Sequence, residues 1–185
     1  LTSRERIKRV FEHKLPDRVP IVDYPWPATL HRWHKEGLPE RADYLKYFDL
    51  DRYTRISADV SPRFEKKVLE ETDQYRIETT EWGAKMKNWK NAASVPEFLD
   101  FKITEPDIWK KVKKRLNVSE DRVDWEYLKK NYPRWRKEGY WIEARFWFGF
   151  DVTHSWIVGT ERSLMAMALE PEWLTDMFDT ILNLN

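Results

Sequence analysis

The stretch YWIEARFW, residues 140–147, lies between Gly139 and Gly149 and indicates a β-strand, because it is aromatic and apolar and is bounded by glycines. Two further runs, Val19–Tyr24 and Arg52–Ser57, also predict strands, the first short, buried and β-branched and the second weakly alternating. Helical periodicity separates the three runs, which is typical of parallel β/α packing. Three strands do not close a sheet, so this order predicts part of a larger α/β architecture.

The region between the second and third predicted strands changes character. Closely spaced strand patterns occupy Phe64–Glu71, Gln74–Thr80 and Ala84–Trp89. Strands that follow one another so closely pair antiparallel, because parallel strands need a long crossover connection. The sequence therefore predicts an antiparallel β-meander at residues 64–89, inserted into one domain that spans residues 1–185.

Composition excludes several classes of function. The chain has 185 residues and no cysteine, which removes thiolate metal sites, iron–sulfur clusters and a cysteine nucleophile within it. Lys and Arg number 33 and Asp and Glu 32, so the net charge of +1 argues against a general polyanion binder. No apolar stretch is long enough to span a membrane. We therefore predict a cytoplasmic protein with neither nucleic acid nor membrane as a partner.

Two local patterns have a functional and a simpler interpretation. The basic run Lys110–Arg115 is interleaved with nearby acidic residues, so a solvated helix surface is favoured over nucleic-acid binding. His31 and His34 have a spacing that permits two metal ligands on one helix face. No carboxylate occupies a matching position, so surface histidines are the favoured interpretation and no metal site is predicted.

The eleven tryptophans are more than a core of this size requires. Those that fall on apolar helix stripes predict core positions, and those near turns and strand ends predict pocket walls. The first group is Trp109, Trp125 and Trp173, and the second is Trp26, Trp82 and Trp147.

Short segments along nearly the whole chain share a likeness to one family. They are Leu1–Arg6, Leu15–Pro20, Arg32-Trp33 with Glu36–Pro39, Tyr47–Asp51, Glu81–Gly83, Gly159–Glu161 and Glu170–Glu172. In this order they resemble the uroporphyrinogen decarboxylase superfamily. The resemblance implies a TIM-type (β/α)₈ barrel, of which this chain is the N-terminal part with about three parallel strands and flanking helices.

The family contains porphyrinogen decarboxylases and zinc-dependent corrinoid methyltransferases. The decarboxylases carry an Arg-Gln-Ala-Gly-Arg stretch that grips substrate carboxylates, whereas residues 23–32 here read DYPWPATLHR. The resemblance therefore favours a corrinoid-dependent methyltransferase. The alternatives are a decarboxylase of a tetrapyrrole or another carboxylated substrate, and a non-catalytic binding module.

The resemblance also implies cofactors and partners. The methyltransferases bind zinc through a His-x-Cys…Cys set in their C-terminal half, so no cofactor is expected within this chain, and zinc and a corrinoid belong to the full-length protein. The expected partners are a small molecule or a corrinoid protein, and the missing C-terminal half of the barrel. An open half-barrel exposes strand edges, which predicts a homodimer or aggregation and no activity by this chain alone.

Barrel enzymes place their chemistry where the strands end at the C-terminal face. The residues at those positions are Asp23, Tyr24 and Trp26 after the first strand, Asp59 after the second, and Arg145, Trp147 and His154 at and beyond the third. Asp59 and Asp23 are the predicted catalytic residues, since Asp59 falls where the decarboxylases hold pyrrole NH groups with an aspartate. The other five are predicted to bind substrate, and Asp23, Asp59, Arg145 and His154 are predicted to converge at one barrel mouth.

Structural interpretations stand beside these assignments. Asp59 has the position of a helix N-cap, and Asp23 could accept hydrogen bonds from nearby backbone NH groups. Alternation puts Arg145 on one strand face with Glu143, so the two could form a buried salt bridge instead of a clamp for a substrate carboxylate. Asp151 is expected to cap the helix that carries the histidine.

Overall fold

The computed structural model describes residues 1–91 and 94–185. In chain order, its helices and strands are α1 (Ser3–Phe11), α2 (Pro27–Lys35), α3 (Tyr44–Tyr47), β1 (Tyr53–Ile56), β2 (Val68–Glu71), β3 (Tyr75–Thr79), β4 (Ala84–Trp89), β5 (Glu97–Phe101), α4 (Pro106–Lys113), α5 (Trp125–Lys137), β6 (Trp141–Ala144), α6 (Phe150–Val152), α7 (Thr160–Leu169) and α8 (Pro171–Leu184). A 3₁₀ turn at Glu120–Arg122 and a π-helical segment at Thr153–Ile157 also occur.

The chain divides into two compact units, each built from two separate stretches of sequence. The first unit contains residues 1–57 and 124–145, and the second contains residues 58–123 and 146–185. The first holds a two-stranded sheet and the second a four-stranded sheet, so the fold is a mixed α/β arrangement.

The sheet of the first unit is parallel, as predicted for the second and third strand patterns. β1 pairs with β6 in a register that places Tyr53 opposite Trp141. The amide of Arg145 donates to the carbonyl of Ile56 at 2.8 Å, which extends the ladder by one bond beyond β6. Strand β6 ends at Ala144 and is therefore shorter than the predicted range of 140–147.

The predicted first strand, Val19–Tyr24, is wrong. These residues form neither strand nor helix, and Val19 and Ile21 are 75% and 51% exposed, so the segment is not buried either. Pro20 lacks a backbone N–H and cannot donate to a ladder. Instead of a ladder, two hydrogen bonds join the segment to Asp51: the Ile21 amide donates to the Asp51 carboxylate at 2.9 Å, and the Asp51 amide donates to the Ile21 carbonyl at 2.7 Å.

A buried ion network forms around Asp51, which is fully buried. Its carboxylate accepts hydrogen bonds from the guanidinium of Arg6 and, at 2.8 Å, from that of Arg18. Arg6 also donates to both carboxylate oxygens of Asp17, at 2.7 and 2.9 Å. We call these four residues the Asp51 network. It connects α1 with the loop that contains Asp17 and Arg18 and with the loop that precedes β1.

The antiparallel meander of the second unit is confirmed, with one more strand than predicted. Strands β2, β3, β4 and β5 pair in sequence order, each antiparallel to the next. The first strand starts at Val68 rather than Phe64, and β5 at Glu97–Phe101 lies outside the predicted range of 64–89.

The core of the second unit lies among its helices. Trp109 of α4 packs with Met177 and Ile181 of α8 and with Ile157 of the π-helical segment, and all four are at most 1% exposed. Trp173 is also in this core, as predicted. The prediction that Trp125 is a core residue is wrong, since this first residue of α5 is 49% exposed.

Candidate functional site

Asp59 lies in the second unit, in a non-helical loop that follows β1 in the chain. Its Oδ1 accepts hydrogen bonds from the Ser61 amide at 3.0 Å and the Ser61 hydroxyl at 2.6 Å. Its Oδ2 accepts from Nε of Arg63 at 2.7 Å. No helix follows directly, so the helix-cap interpretation is wrong and the carboxylate instead closes a tight turn.

Arg122 fixes the loop that carries Asp59. This arginine is 5% exposed and donates to the carbonyls of Asp59 and Ser61 at 2.6 and 3.2 Å. It also donates to the carbonyls of Asn117 and Arg115. The Asp59 amide in turn donates to the Arg122 carbonyl at 2.7 Å. Sequence reasoning missed this residue, because a lone arginine among charged neighbours has no pattern that marks it as buried.

A surface ion pair completes the cluster. Nη1 of Arg63 donates to the carboxylate of Asp121 at 2.6 Å, so this guanidinium bridges two aspartates. Burial raises the pKa of the Asp59 carboxyl, but the hydrogen bonds from Ser61 and Arg63 outweigh burial and lower the pKa below its ordinary value. Asp59 is therefore an anion at neutral pH. It can orient a cation or an NH group, but it cannot donate a proton.

Asp23, Tyr24 and Trp26 lie in the first unit and are exposed. The ring of Tyr24 packs edge-on against Tyr53 with centroids 4.5 Å apart, and the Arg55 guanidinium lies 5.3 Å from its centroid. Burial raises the pKa of the Tyr24 phenol. Asp23 does not stand at the end of a buried strand as predicted, because that strand is not formed.

Arg145 lies just after β6 in the first unit and is partly buried. Its predicted neighbour Glu143 pairs with Arg55, directly opposite on β1, at 3.2 Å, and both of those side chains are about 40% exposed. The prediction that Glu143 sits in a buried interior pair is therefore wrong. The cross-strand pair is solvent-screened and contributes little to stability.

His154 lies in the π-helical segment of the second unit, and such segments frequently occur at functional sites. Its ring stacks on Phe150 with centroids 4.5 Å apart. Nδ1 lies 3.2 Å from the Thr160 hydroxyl, and Nε2 lies 3.0 Å from the Ser155 hydroxyl. The histidine is thus held by two hydroxyl groups. Asp151 does not cap the helix as predicted, because it lies inside α6, whose N-cap is Gly149.

Trp147 belongs to a group of three tryptophans in the second unit. Its ring lies 5.6 Å from that of Trp156, which in turn lies 5.1 Å from that of Trp82. We call these residues the tryptophan cluster. Trp82 and Trp156 line a pocket of about 250 Å³. Sequence reasoning singled out Trp82 and Trp147 but missed Trp156, because nothing in its local pattern separates it from a core tryptophan.

The candidates therefore fall into two groups. Asp23, Tyr24, Trp26 and Arg145 belong to the first unit, and Asp59, Trp147 and His154 belong to the second. Their convergence at one barrel mouth stays a prediction.

Over residues 1–91 and 94–185, no group of three or more His, Cys, Asp or Glu side chains is arranged to hold a metal ion. Within the same residues, no helix has the length and apolar character needed to cross a membrane.

No family model, curated protein or solved structure matches this chain.

Proposed function

We propose that this chain forms the N-terminal part of a (β/α)₈-barrel enzyme similar to the uroporphyrinogen decarboxylase superfamily. The complete enzyme would transfer a methyl group to or from a corrinoid. In this proposal the corrinoid is a substrate, and Asp59 is the residue of this chain that acts electrostatically at the site.

The observation that carries the proposal is the Asp51 network. Arg6, Asp17, Arg18 and Asp51 come from three of the separate segments on which the resemblance rests. In the fold those segments contact one another through the buried carboxylate of Asp51. If the three likenesses were coincidences, there would be no reason for their segments to meet at one buried charge. Their contact therefore supports a common family origin.

The pairing of β1 with β6 supports the barrel. The two strands are parallel, and the stretch between them contains the meander and the helices α4 and α5. Parallel pairs joined by a helical crossover are the repeating unit of such barrels. A complete barrel needs further strands, which the proposal assigns to its C-terminal half.

The arginine content of residues 23–32 favours methyl transfer over decarboxylation. The only arginine in this range is Arg32, which lies on α2, is well exposed and pairs with Glu36 at 3.4 Å. A site that grips several substrate carboxylates needs buried, bidentate arginines. The described residues also offer no donor set for zinc, so we derive no step through a metal.

Asp59 supplies a fixed negative charge in this proposal. Ser61 and Arg63 hold both of its oxygens, and the backbone clasp of Arg122 fixes the loop. A preorganised charge of this kind stabilises developing positive charge without reorganisation during the reaction. We expect Asp59→Asn in a protein that contains the complete barrel to lower kcat by a factor of about 10²–10³, which is typical for loss of one electrostatic stabiliser.

The matched control for this variant is Asp121→Asn. Asp121 bonds to the same Arg63 guanidinium but is 66% exposed on its side chain. If the aspartate pair only holds the loop together, both variants will lower kcat to a similar extent. Steady-state methyl transfer, with folding checked by circular dichroism, distinguishes the two cases. Turnover close to wild type in a folded Asp59→Asn variant would contradict the proposed role.

A further inference from the structure

The pocket beside the tryptophan cluster has three aromatic residues in its lining. They are Trp82, Phe98 and Trp156, and they line it together with Thr80, Glu81, Ala84 and Met86. We call it the aromatic pocket. We propose that the aromatic pocket is a binding site for a small organic cation that carries a methylated ammonium group. This inference does not depend on the proposed function.

The indole rings of Trp82 and Trp156 are tilted and do not stack face to face. The rings of Trp82 and Trp156 are tilted by 47° with centroids 5.1 Å apart, so neither ring fully covers the face of the other. Trp147 supports Trp156 from outside the pocket wall, at 5.6 Å. The negative face of an indole attracts a cation more strongly than any other aromatic side chain does. Two such rings in one small wall therefore favour a positively charged ligand.

The charge of the lining is also suited to a cation. Within the described part of the chain, Glu81 is the only charged residue that lines the pocket. Its Oε2 pairs with the Lys66 ammonium at 3.0 Å, but the two side chains are 39% and 67% exposed. A surface pair of this kind is weak, so a ligand cation can share the carboxylate or replace the lysine. An anionic ligand would have no basic side chain to pair with among the described residues that line the pocket.

The remaining lining selects the kind of cation. Thr80 is buried, and its hydroxyl already accepts a hydrogen bond from the Ala84 amide at 3.1 Å. Met86 and Phe98 add apolar surface. An ammonium group with three free N–H donors would leave most of them unpaired in such a wall, which costs binding energy. A quaternary ammonium group has no N–H donor and places its charge on methyl groups that pack against aromatic faces.

The volume limits the size of the ligand. At about 250 Å³ the aromatic pocket is smaller than the roughly 300–1,000 Å³ typical of sites for drug-sized molecules. A headgroup such as trimethylammonium on a short chain suits this space. A multi-ring ligand does not.

The test compares two probes that differ by one atom. Choline carries a quaternary nitrogen, and 3,3-dimethylbutan-1-ol has a neutral carbon in its place. We expect choline to bind saturably, with its methyl protons shifted upfield in NMR spectra by the indole ring currents. The neutral probe should bind at least about 10-fold more weakly, since cation–π attraction is worth that much in a partly desolvated site. Equal binding of the two probes would overturn the proposal, and so would no saturable choline shift up to about 50 mM, a concentration well above a millimolar Kd.

Variants of this chain locate the binding site. We expect Trp156→Leu to weaken choline binding about 10-fold, and Glu81→Gln to weaken it about threefold or more. Because Trp82 and Trp156 both pack against the core, Glu81→Gln is the variant that tests the site without changing a core-packed side chain.

The matched control is Trp89→Leu. Trp89 lies on β4, the strand that carries the pocket residue Met86. It is three positions from Met86, so its side chain projects from the face of the strand opposite to the pocket. Its ring is already covered by the Lys87 ammonium, 4.1 Å from the centroid. We expect choline binding by this variant to equal that of the wild type. A loss in Trp89→Leu as large as that in Trp156→Leu would overturn the assignment of the pocket.

Discussion

Asp51→Asn is expected to lower the free energy of unfolding by about 3–5 kcal/mol, the range typical of removing one partner from a buried ion pair. Asp51 is fully buried and accepts hydrogen bonds from two guanidinium groups and one backbone amide. Asparagine keeps the shape but removes the negative charge, so Arg6 would remain buried without its full counter-charge. Urea denaturation followed by circular dichroism measures the loss.

The control for this variant is Asp49→Asn, two residues away. The Asp49 side chain is 90% exposed and contacts Arg18 at 3.4 Å. An exposed pair of this kind contributes at most about 1 kcal/mol. If both variants lose the same small amount of stability, the Asp51 network does not hold the first unit together.

The Asp51 network also predicts how stability depends on pH. Burial raises the pKa of Asp51, but the hydrogen bonds from the Ile21 amide and from Arg6 outweigh it, so the pKa in the folded state is lowered. The hydrogen bond from Arg6 likewise lowers the pKa of Asp17. A lowered pKa contributes stability above the ordinary carboxyl value of 3.8, and this stability is lost as the pH falls below it. The wild type should therefore lose more stability between neutral pH and pH values below 3.8 than Asp51→Asn does.

Trp109→Ala is expected to lower the free energy of unfolding by about 3–5 kcal/mol, as is usual for a buried tryptophan. Trp109 is 1% exposed, and its indole Nε1 donates to the Asp176 carboxylate on α8 at 2.7 Å. Alanine would leave a cavity between α4 and α8 and would remove this hydrogen bond.

The control for the tryptophan change is Trp125→Ala, which removes an equally large side chain that is 49% exposed. Its loss should stay near or below about 1 kcal/mol, as for most surface substitutions. Thermal unfolding of the two variants gives the comparison. A Trp109→Ala protein as stable as Trp125→Ala would mean that the helical core does not depend on the Trp109 side chain.

Local patterns in the sequence predicted those elements whose cause is local. Thr2 followed three residues later by Glu5 predicts a capping box, and both of its hydrogen bonds are present at the start of α1 because the partners lie within one turn. Strand β4 matches its predicted range, Ala84–Trp89, because a turn that contains Gly83 precedes it and fixes where it begins. The sequence predicts Thr160 as the N-cap of α7, but Thr160 is the first residue of this helix and its N-cap is Gly159. There φ is +97°, and a Cβ would lie 2.7 Å from the Phe101 ring.

Elements that depend on distant partners were predicted less well. Val19–Tyr24 has the composition of a strand, but its neighbour is the carboxylate of Asp51 rather than another strand. Strand β5 was missed, since its pairing with β4 is what makes Glu97–Phe101 a strand. Asp51 itself looks like an ordinary surface aspartate. It is buried only because two arginines from distant positions reach it.

In the candidate site too, features with a local cause could be predicted from the sequence and features that depend on distant residues could not. The position of Asp59 after a strand could be predicted from the sequence. The geometry of its loop could not, because the Arg122 guanidinium that bonds to the loop carbonyls comes from about 60 residues further along the chain. Trp82 could be chosen as a pocket residue because it lies at a turn. Trp156 could not, because its place in the pocket wall depends on packing against Trp82, which is distant in sequence.

The most direct test of the proposed function is a measurement of methyl transfer by a protein that contains the complete barrel. The protein is mixed with an isotopically labelled methyl-corrinoid and an acceptor thiol, and in parallel with a carboxyl-labelled porphyrinogen. We predict that the labelled methyl group leaves the corrinoid at a rate well above the enzyme-free control, with no release of labelled carbon dioxide. Release of carbon dioxide from the porphyrinogen without methyl transfer would contradict the account.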